Sequence, residues 1–196
     1  RRLSAQDLAA LPYHEQFLLL NSHRQKTDTY ALYGGVKILD LLAAMGADLE
    51  AATGVSFIAP DGFVTTFDLE TVRRSFPAGI YYAGLDQGER GFVHYPPAEV
   101  LPAGLVDKAA IPGAPVVFLA FKHDGRPLDP GRLDPETNRL EGEGPYRLIV
   151  PQGLLGGPGA PHRGSKHSPP GFGDGLDYDD AKDHNAGFCA RGFVAV

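Results

Sequence analysis

The sequence contains no tryptophan, one methionine and one cysteine, Cys189. A single cysteine excludes an internal disulfide, a cysteine-rich zinc or iron–sulfur site, and covalent haem attachment through a C-x-x-C-H run. No apolar run approaches the ~20 residues that a membrane-spanning helix needs. The net charge is -6, and the scattered lysines and arginines form no basic segment that would bind a nucleic-acid backbone. We therefore expect no nucleic-acid partner.

The composition that is present indicates one globular domain rich in turns. The chain has 196 residues, of which 43% are hydrophobic, and this is enough for a sizeable core. Glycine and proline are both frequent, with 25 and 17 residues, which favours loops and short strands over a helical bundle. Predicted strands outnumber predicted helices and do not alternate with them regularly. The pattern predicts an α+β fold with a mixed sheet and few short helices.

Local patterns locate several of these elements. A short helix is predicted after Ser4, which can cap it, and a longer one is predicted over 36–45 and ended by Gly46. Two strands on either side of Pro60-Asp61-Gly62 predict a hairpin. The Gly34-Gly35 pair is predicted to end the strand before it. Other strands are predicted at 17–20, 29–33, 79–85, 116–121, 146–150 and 192–196.

The segment 152–191 is the most unusual part of the sequence. It is rich in glycine and proline and contains no predicted helix or strand. Loops of this length are rare inside compact domains and usually carry a function or contact another molecule. We interpret it as a long interaction segment within the single domain 1–196, ordered by contact with another chain.

Three stretches, taken in order, resemble the molybdopterin-binding domain of the sulfite oxidase family. The first is YGGVKILDLL at 33–42, similar to the family's strand-to-helix entry, and the second is VSFIAPDGF at 55–63, similar to its hairpin. The third joins VFLAF at 117–121 and DGRPL at 124–128 to PYRLIVP at 145–151. The resemblance implies the fold of that domain and a location in the periplasm or on the extracellular face of a membrane.

The sequence departs from this family where the cofactor would bind. In the family's enzymes a cysteine thiolate upstream of the first stretch binds molybdenum, whereas this chain has Asn21 and Ser22 in that region. A serine hydroxyl is a poor substitute for a soft thiolate. The resemblance leaves Ser22, His23 and Arg24 as a remnant cofactor-binding site and assigns no catalytic residue. We expect no bound cofactor, with molybdopterin as the one that the resemblance would allow.

A second candidate site lies in the long segment and beyond it. His162, His167, His184 and Cys189 are residue types that bind zinc, copper or haem iron, in a loose H-x4-H-x16-H-x4-C spacing. The alternative is structural: histidines in such loops often bond the local backbone, and a free cysteine usually behaves as a small buried hydrophobic residue.

These observations lead to a functional expectation with an alternative. We expect a non-catalytic accessory or scaffold subunit of a larger assembly, such as a membrane electron-transfer complex, with other protein subunits as partners. Because the chain begins at Arg1 without methionine, we expect any membrane association to come from a partner or from an anchor that precedes it. The alternative is an active molybdopterin- or metal-dependent oxidoreductase with unusual ligation. A weaker alternative is an anion-binding domain that uses Arg24, Lys26 and Arg147.

Overall fold

The computed structural model describes residues 2–22, 27–76, 78–85, 93–152 and 184–192. This part of the chain has the α+β architecture that the sequence predicts, with a mixed sheet and short helices. None of its helices has the length and apolar character needed to cross a membrane.

The described elements follow in chain order. The helices are α1 (Ala5–Ala9), α2 (Ile38–Met45) and α3 (Leu69–Arg73), and two 3₁₀ turns lie at Ala98–Val100 and Asn185–Phe188. The strands are β1 (Tyr13–Leu20), β2 (Asp28–Lys37), β3 (Gly54–Ile58), β4 (Val64–Asp68), β5 (Ile80–Tyr81), β6 (Val93–His94), β7 (Ala109–Ala110), β8 (Phe118–His123), β9 (Arg126–Pro127), β10 (Arg132–Leu133), β11 (Leu140–Glu141) and β12 (Arg147–Ile149).

The main sheet has the strand order β1-β2-β8-β12, and each of these neighbours is antiparallel. The short strand β6 adds a parallel pair to one end of β2, and β9 forms a hairpin with β8. An isolated bridge joins Arg191 to Arg147 of β12, and the Leu148 N–H donates to the Ala190 carbonyl at 2.8 Å. The end of the described chain therefore lies against its own sheet.

Strand β1 is buried on both faces, which explains why its apolar run does not alternate with polar residues. Its side chains point to opposite faces in turn, and both faces are covered. Leu18 and Leu20 belong to the larger core with α2 and the β3–β4 hairpin. Phe17 and Leu19 belong to a second core with Tyr30 and the strand β5 region. A sheet that is buried on both faces requires such continuous apolar strands.

Several predicted local structures are confirmed. The Ser4 side chain accepts from the Asp7 N–H at 3.1 Å and the Asp7 carboxylate accepts from the Ser4 N–H at 2.7 Å, which together form a capping box for α1. Gly46 ends α2 with a left-handed backbone, φ 78°. Gly62 has φ 86° in the turn of the β3–β4 hairpin, as the sequence pattern requires.

The prediction that Gly34-Gly35 ends a strand is wrong. Strand β2 continues through both glycines to Lys37, and its pairing with β8 shifts register between them. A Cβ atom at Gly35 would collide with the Leu119 backbone carbonyl of β8. The glycines therefore allow close approach of two backbones within the sheet, which is the other common role of glycine in strands. The strand predicted at 79–85 is shorter than predicted, because only Ile80–Tyr81 forms a strand, which pairs with β7.

Candidate functional site

Residues at the place expected for a metal-binding cysteine form a buried amide network, which we call the Asn185 clasp. Its members are Asn185 and the backbone groups of Leu19, Asn21 and Val150. The Asn185 carboxamide accepts from the Asn21 N–H at 2.8 Å, and its Nδ2 donates to the Leu19 carbonyl at 3.0 Å and the Val150 carbonyl at 2.8 Å. Asn185 is 1% exposed. The clasp thus joins the end of β1, the end of β12 and the returning chain.

Cys189 is part of the same buried region and is structural in its contacts. It is 5% exposed, its Sγ accepts from the Val150 N–H at 3.4 Å, and its thiol donates to the Asn185 carbonyl at 3.3 Å. Burial raises the pKa of this thiol, so it stays protonated. An enclosed thiol that is bonded to the backbone on both sides lacks the access that a nucleophile needs. These contacts agree with the structural interpretation of Cys189.

The predicted remnant site is described only at Ser22. The Ser22 hydroxyl donates to the Thr27 carbonyl at 2.9 Å, and the Ser22 N–H donates to the Asp28 carboxylate at 2.9 Å. These contacts therefore link the residue after the end of β1 to the start of β2. His23 and Arg24 lie outside the described residues, and their predicted role stays a prediction.

The predicted metal site is described at two of its four positions. His184 lies beside the Phe188 ring with 5.5 Å between ring centroids, and Cys189 is enclosed as described above. His162 and His167 lie outside the described residues. Across residues 2–22, 27–76, 78–85, 93–152 and 184–192, no three His, Cys, Asp or Glu side chains are grouped to hold a metal ion.

A second polar network, which the sequence did not reveal, is charged and only partly buried. This charged cluster consists of Tyr33, His123, Asp124, Glu143 and Arg147. Arg147 donates to the Tyr33 hydroxyl at 3.0 Å and also to the Glu143 carboxylate. The other carboxylate oxygen of Glu143 lies 2.8 Å from His123 Nδ1, while Asp124 lies 3.5 Å from His123 Nε2. The His123 ring stacks on Tyr33 with centroids 4.6 Å apart.

The ionisation of the charged cluster follows from its mutual contacts. Burial lowers the pKa of His123, but the hydrogen bond and negative charge of Glu143 outweigh this and raise the pKa overall. Burial raises the pKa of Glu143, but His123 and Arg147 outweigh it and lower the pKa overall. Each partner therefore favours the charged form of the other. Two carboxylates face Arg147 and His123, so the cluster offers no net positive charge to an anion whether His123 is protonated or neutral.

Arg147 accordingly does not fit the anion-binding alternative. It is 9% exposed and bonded to Glu143, so its positive charge is already compensated inside the protein. The other two residues of that hypothesis, Arg24 and Lys26, lie outside the described residues. Little in the sequence indicates the charged cluster. Glu143 lies in a glycine-rich turn before a strand, and no motif around it predicts a contact with His123.

The third feature is an exposed apolar patch on the β3–β4 hairpin, which we call the hairpin patch. Its members are Ile58, Phe63 and Val64, which are 48%, 41% and 52% exposed. Ile58 and Val64 are direct cross-strand partners, and the next outward-facing pair on the same strands is polar, with Ser56 and Thr66 hydroxyls 2.8 Å apart. The inward-facing residues, such as Phe57, belong to the core. The hairpin thus presents three large apolar side chains beside a polar border.

Comparison with known proteins adds no relative, because no family model, no curated protein and no solved structure matches the chain. The described residues form an α+β domain with three notable features, which are the Asn185 clasp, the charged cluster and the hairpin patch. Cys189, the one cysteine of the chain, is enclosed and bonded to the backbone on both sides.

Proposed function

We propose that the chain is a non-catalytic extracytoplasmic domain with a sulfite oxidase-type fold, acting as an accessory or scaffold subunit of a larger complex. The observation that carries this proposal is the structural use of the region of the expected cysteine and of the one thiol in the chain. The Asn185 clasp occupies the region of the expected cysteine, and Cys189 is held between Val150 and Asn185. We place the domain in the periplasm or at the extracellular face of a membrane electron-transfer complex, on the sequence resemblance alone.

The cost of converting Cys189 into a ligand supports the non-catalytic role. The thiol would have to lose its proton in a buried site, where the charged form is disfavoured. The Asn185 carbonyl would then lose its donor. Unsatisfied buried groups of this kind cost about 1–3 kcal/mol each. Metal binding by Cys189 would therefore weaken the contacts that hold residues 184–192 on the sheet.

The hairpin patch is the surface that we assign to the partner subunit. Exposed apolar side chains that lie together, with polar residues around them, are typical of protein interaction surfaces. Ile58 and Val64 lie opposite each other on the hairpin, and Phe63 follows the turn, so that all three come to one end of it. Burial of these side chains against another chain removes apolar area from water, which is the main driving force of association.

The proposal is tested by paired substitutions on the same two strands. Ile58→Lys with Val64→Glu replaces the apolar pair with an ion pair, which keeps the cross-strand positions compatible. Ser56→Lys with Thr66→Glu is the matched control on the same face. Each tagged protein is isolated from the membrane fraction of its native source, and the size of the complex is measured by native gel and light scattering.

We expect the wild-type protein and the control to be isolated in an assembly well above the 20.9 kDa of the single chain. The Ile58→Lys/Val64→Glu protein should be isolated alone while keeping its circular dichroism spectrum. A wild-type chain that is isolated alone would contradict the subunit role. An assembly that survives the hairpin substitutions unchanged would contradict the assignment of the surface.

A further inference from the structure

One edge of the main sheet lacks a paired neighbour over part of strand β1. Among the described strands, β1 pairs only with β2, and the pair is antiparallel. Alternate residues of such a strand direct their N–H and C=O groups toward the neighbour and away from it. The residues of β1 that face away from β2 therefore offer backbone groups to any chain that lies beside them.

The contacts of Leu32 show which residues of β1 face away from β2. Leu32 is the cross-strand partner of Phe17. Its N–H donates to the Asp124 carboxylate at 2.9 Å, and its carbonyl accepts from the Asp124 N–H at 2.7 Å. Both backbone groups of Leu32 are thus directed away from β1, so Phe17 is not hydrogen-bonded to it. By the alternation of the strand, Phe17 and Glu15 both face the outer edge.

This open stretch has a defined end and an opening to solvent. At the next outward position the Leu19 carbonyl accepts from Asn185 Nδ2 at 3.0 Å, so the Asn185 clasp closes the edge there. In the part of the chain that the structure describes, no backbone hydrogen bond reaches Glu15 or Phe17 from the outer side. A cavity of about 310 Å³ lies along residues 14–17. Glu15 is exposed, so the edge is open to solvent at that residue.

The segment that shares this cavity does not complete the sheet. Residues 112–115 line the cavity together with β1, but two of them are prolines, which have no N–H to donate. The Val116 N–H donates to the Gln16 side chain at 2.9 Å and not to a backbone carbonyl of the strand. An extended chain supplies donors and acceptors at the spacing of a strand, and open strand edges are templates for such pairing.

The side chains along the edge select the residues of such a chain. Side chains that lie directly opposite each other in an antiparallel pair share one face of the sheet. Phe17 is buried, and Leu32 and Val100 line the cavity with it, so an aliphatic side chain fits opposite Phe17. The Glu15 carboxylate is exposed and accepts from the Tyr13 hydroxyl at 2.7 Å. A basic side chain opposite Glu15 therefore forms a favourable cross-strand pair.

We propose that this edge binds an extended segment of another protein as an added antiparallel strand beside β1. The segment has an aliphatic residue opposite Phe17, a basic residue opposite Glu15 and one residue between them. The antiparallel direction continues that of the neighbouring strands in the sheet. A second copy of β1 fits less well, because pairing centred on Glu15 places like charges opposite each other. The proposal does not depend on the hairpin patch, which lies on β3 and β4.

The first experiment is a titration of the isotope-labelled chain with the peptide acetyl-Val-Thr-Lys-Thr-Thr-amide, followed by two-dimensional nuclear magnetic resonance. We expect saturable shifts and slower hydrogen exchange for the amides of Glu15 and Phe17. The amides of His14 and Gln16 face β2 and should keep their exchange rates. The absence of saturable shifts at Glu15 and Phe17 would overturn the proposal.

Two N-methylated peptides separate strand pairing from other modes of binding. A methyl group on the lysine nitrogen removes the donor to the Glu15 carbonyl, and we expect the affinity to fall at least about tenfold, which corresponds to ~1.4 kcal/mol. A methyl group on the nitrogen of the threonine after lysine is the matched control, because that N–H faces away from β1. Equal losses for the two peptides would contradict the added strand.

A charge exchange tests the residue opposite Glu15. We expect acetyl-Val-Thr-Glu-Thr-Thr-amide to bind the wild type at least about fivefold more weakly than the lysine peptide, and Glu15→Lys to reverse this preference. An unchanged preference in Glu15→Lys would contradict the register. Light scattering of the chain without peptide should show no dimer that depends on β1. A dimer that Glu15→Lys disrupts would assign the edge to a second copy and overturn the proposal.

Discussion

The Asn185 clasp and the charged cluster both involve strand β12 or the residue that follows it, but they work by different chemistry. The clasp is neutral and joins a side-chain amide to backbone groups, with Asn185 1% exposed. The charged cluster joins side chains to one another, and the Glu143 side chain is 27% exposed. Neutral hydrogen bonds to the backbone are independent of pH, whereas a carboxylate and a histidine exchange protons with solvent. The clasp therefore stabilises the fold equally at every pH, whereas the stabilisation by the charged cluster changes with pH.

The position of the clasp explains its structural importance. Asn21 and Asn185 are 164 positions apart in the sequence, and Val150 lies just before the segment outside the described residues. Because Asn185 bonds both Asn21 and Val150, the described residues on the two sides of 153–183 are joined at one place.

The largest expected effect comes from Asn185→Ala. This substitution leaves the Asn21 N–H and the Leu19 and Val150 carbonyls without their partner in a buried region. At about 1–3 kcal/mol for each unsatisfied group, we expect the free energy of unfolding to fall by about 4 kcal/mol. Urea denaturation measures this change.

The control for Asn185 is Asn138→Gly. The Asn138 side chain donates one exposed hydrogen bond to the Asp61 carbonyl at 2.9 Å, and its φ of 52° suits glycine. We expect a loss below about 1 kcal/mol. Equal effects at Asn185 and Asn138 would contradict the role of the clasp.

A smaller effect is expected from Glu143→Ala in the charged cluster. The substitution leaves Arg147, whose side chain is 11% exposed, without its carboxylate. Removal of one partner from a buried ion pair costs about 3–5 kcal/mol, and the partial exposure of Glu143 places the expected loss near 3 kcal/mol. Glu141→Ala removes a carboxylate from an exposed pair with Arg132 and should change the unfolding free energy little. A loss at Glu143 no larger than at Glu141 would mean that the cluster does not stabilise the fold.

The smallest effect is the pH dependence that separates the two networks. His123 has a raised pKa in the folded state, so its contribution is complete below the ordinary value of 6.5 and is lost as the pH rises through the folded pKa. Glu143 has a lowered pKa, so its contribution is complete above the ordinary value of 4.5 and is lost as the pH falls through the folded pKa. The cluster therefore stabilises most between pH 4.5 and 6.5, with Asp124 and Arg147 as the other charges facing His123.

Urea denaturation across this pH range tests the contrast directly. Glu143→Gln should flatten the pH profile of the unfolding free energy, since it removes the partner that shifts His123. Asn185→Ala should lower the whole profile by a similar amount at every pH. A Glu143→Gln profile with the shape of the wild type would show that other groups control the pH dependence.

The sequence predicted those parts of the fold that depend on local chemistry. The cap of Ser4, the left-handed Gly46 and the hairpin around Gly62 each need one residue type at one place, and each is present. The same reasoning failed at Gly34-Gly35. There, glycine does not end the strand but lets the backbone of β8 come close. A glycine pair has the same appearance in a sequence whether it ends a strand or admits a neighbouring backbone.

The candidate site was less predictable because its contacts join distant residues. Glu143 lies in the turn four residues before Arg147, but His123 is at the end of β8, and the antiparallel pairing of β8 with β12 brings it to them. Asn185 gave no signal, since an asparagine in a glycine-rich segment usually forms a local turn. Cys189 was different, because a lone cysteine among apolar residues predicts the burial that the structure has.

The measurement that tests the account most directly is the molybdenum and pterin content of the protein isolated from its native source. Plasma mass spectrometry gives the metals, and the fluorescence of released pterin gives the cofactor. We predict that neither molybdenum nor pterin is present in proportion to the chain. One molybdenum per chain would contradict the non-catalytic role and favour an oxidoreductase with unusual ligation.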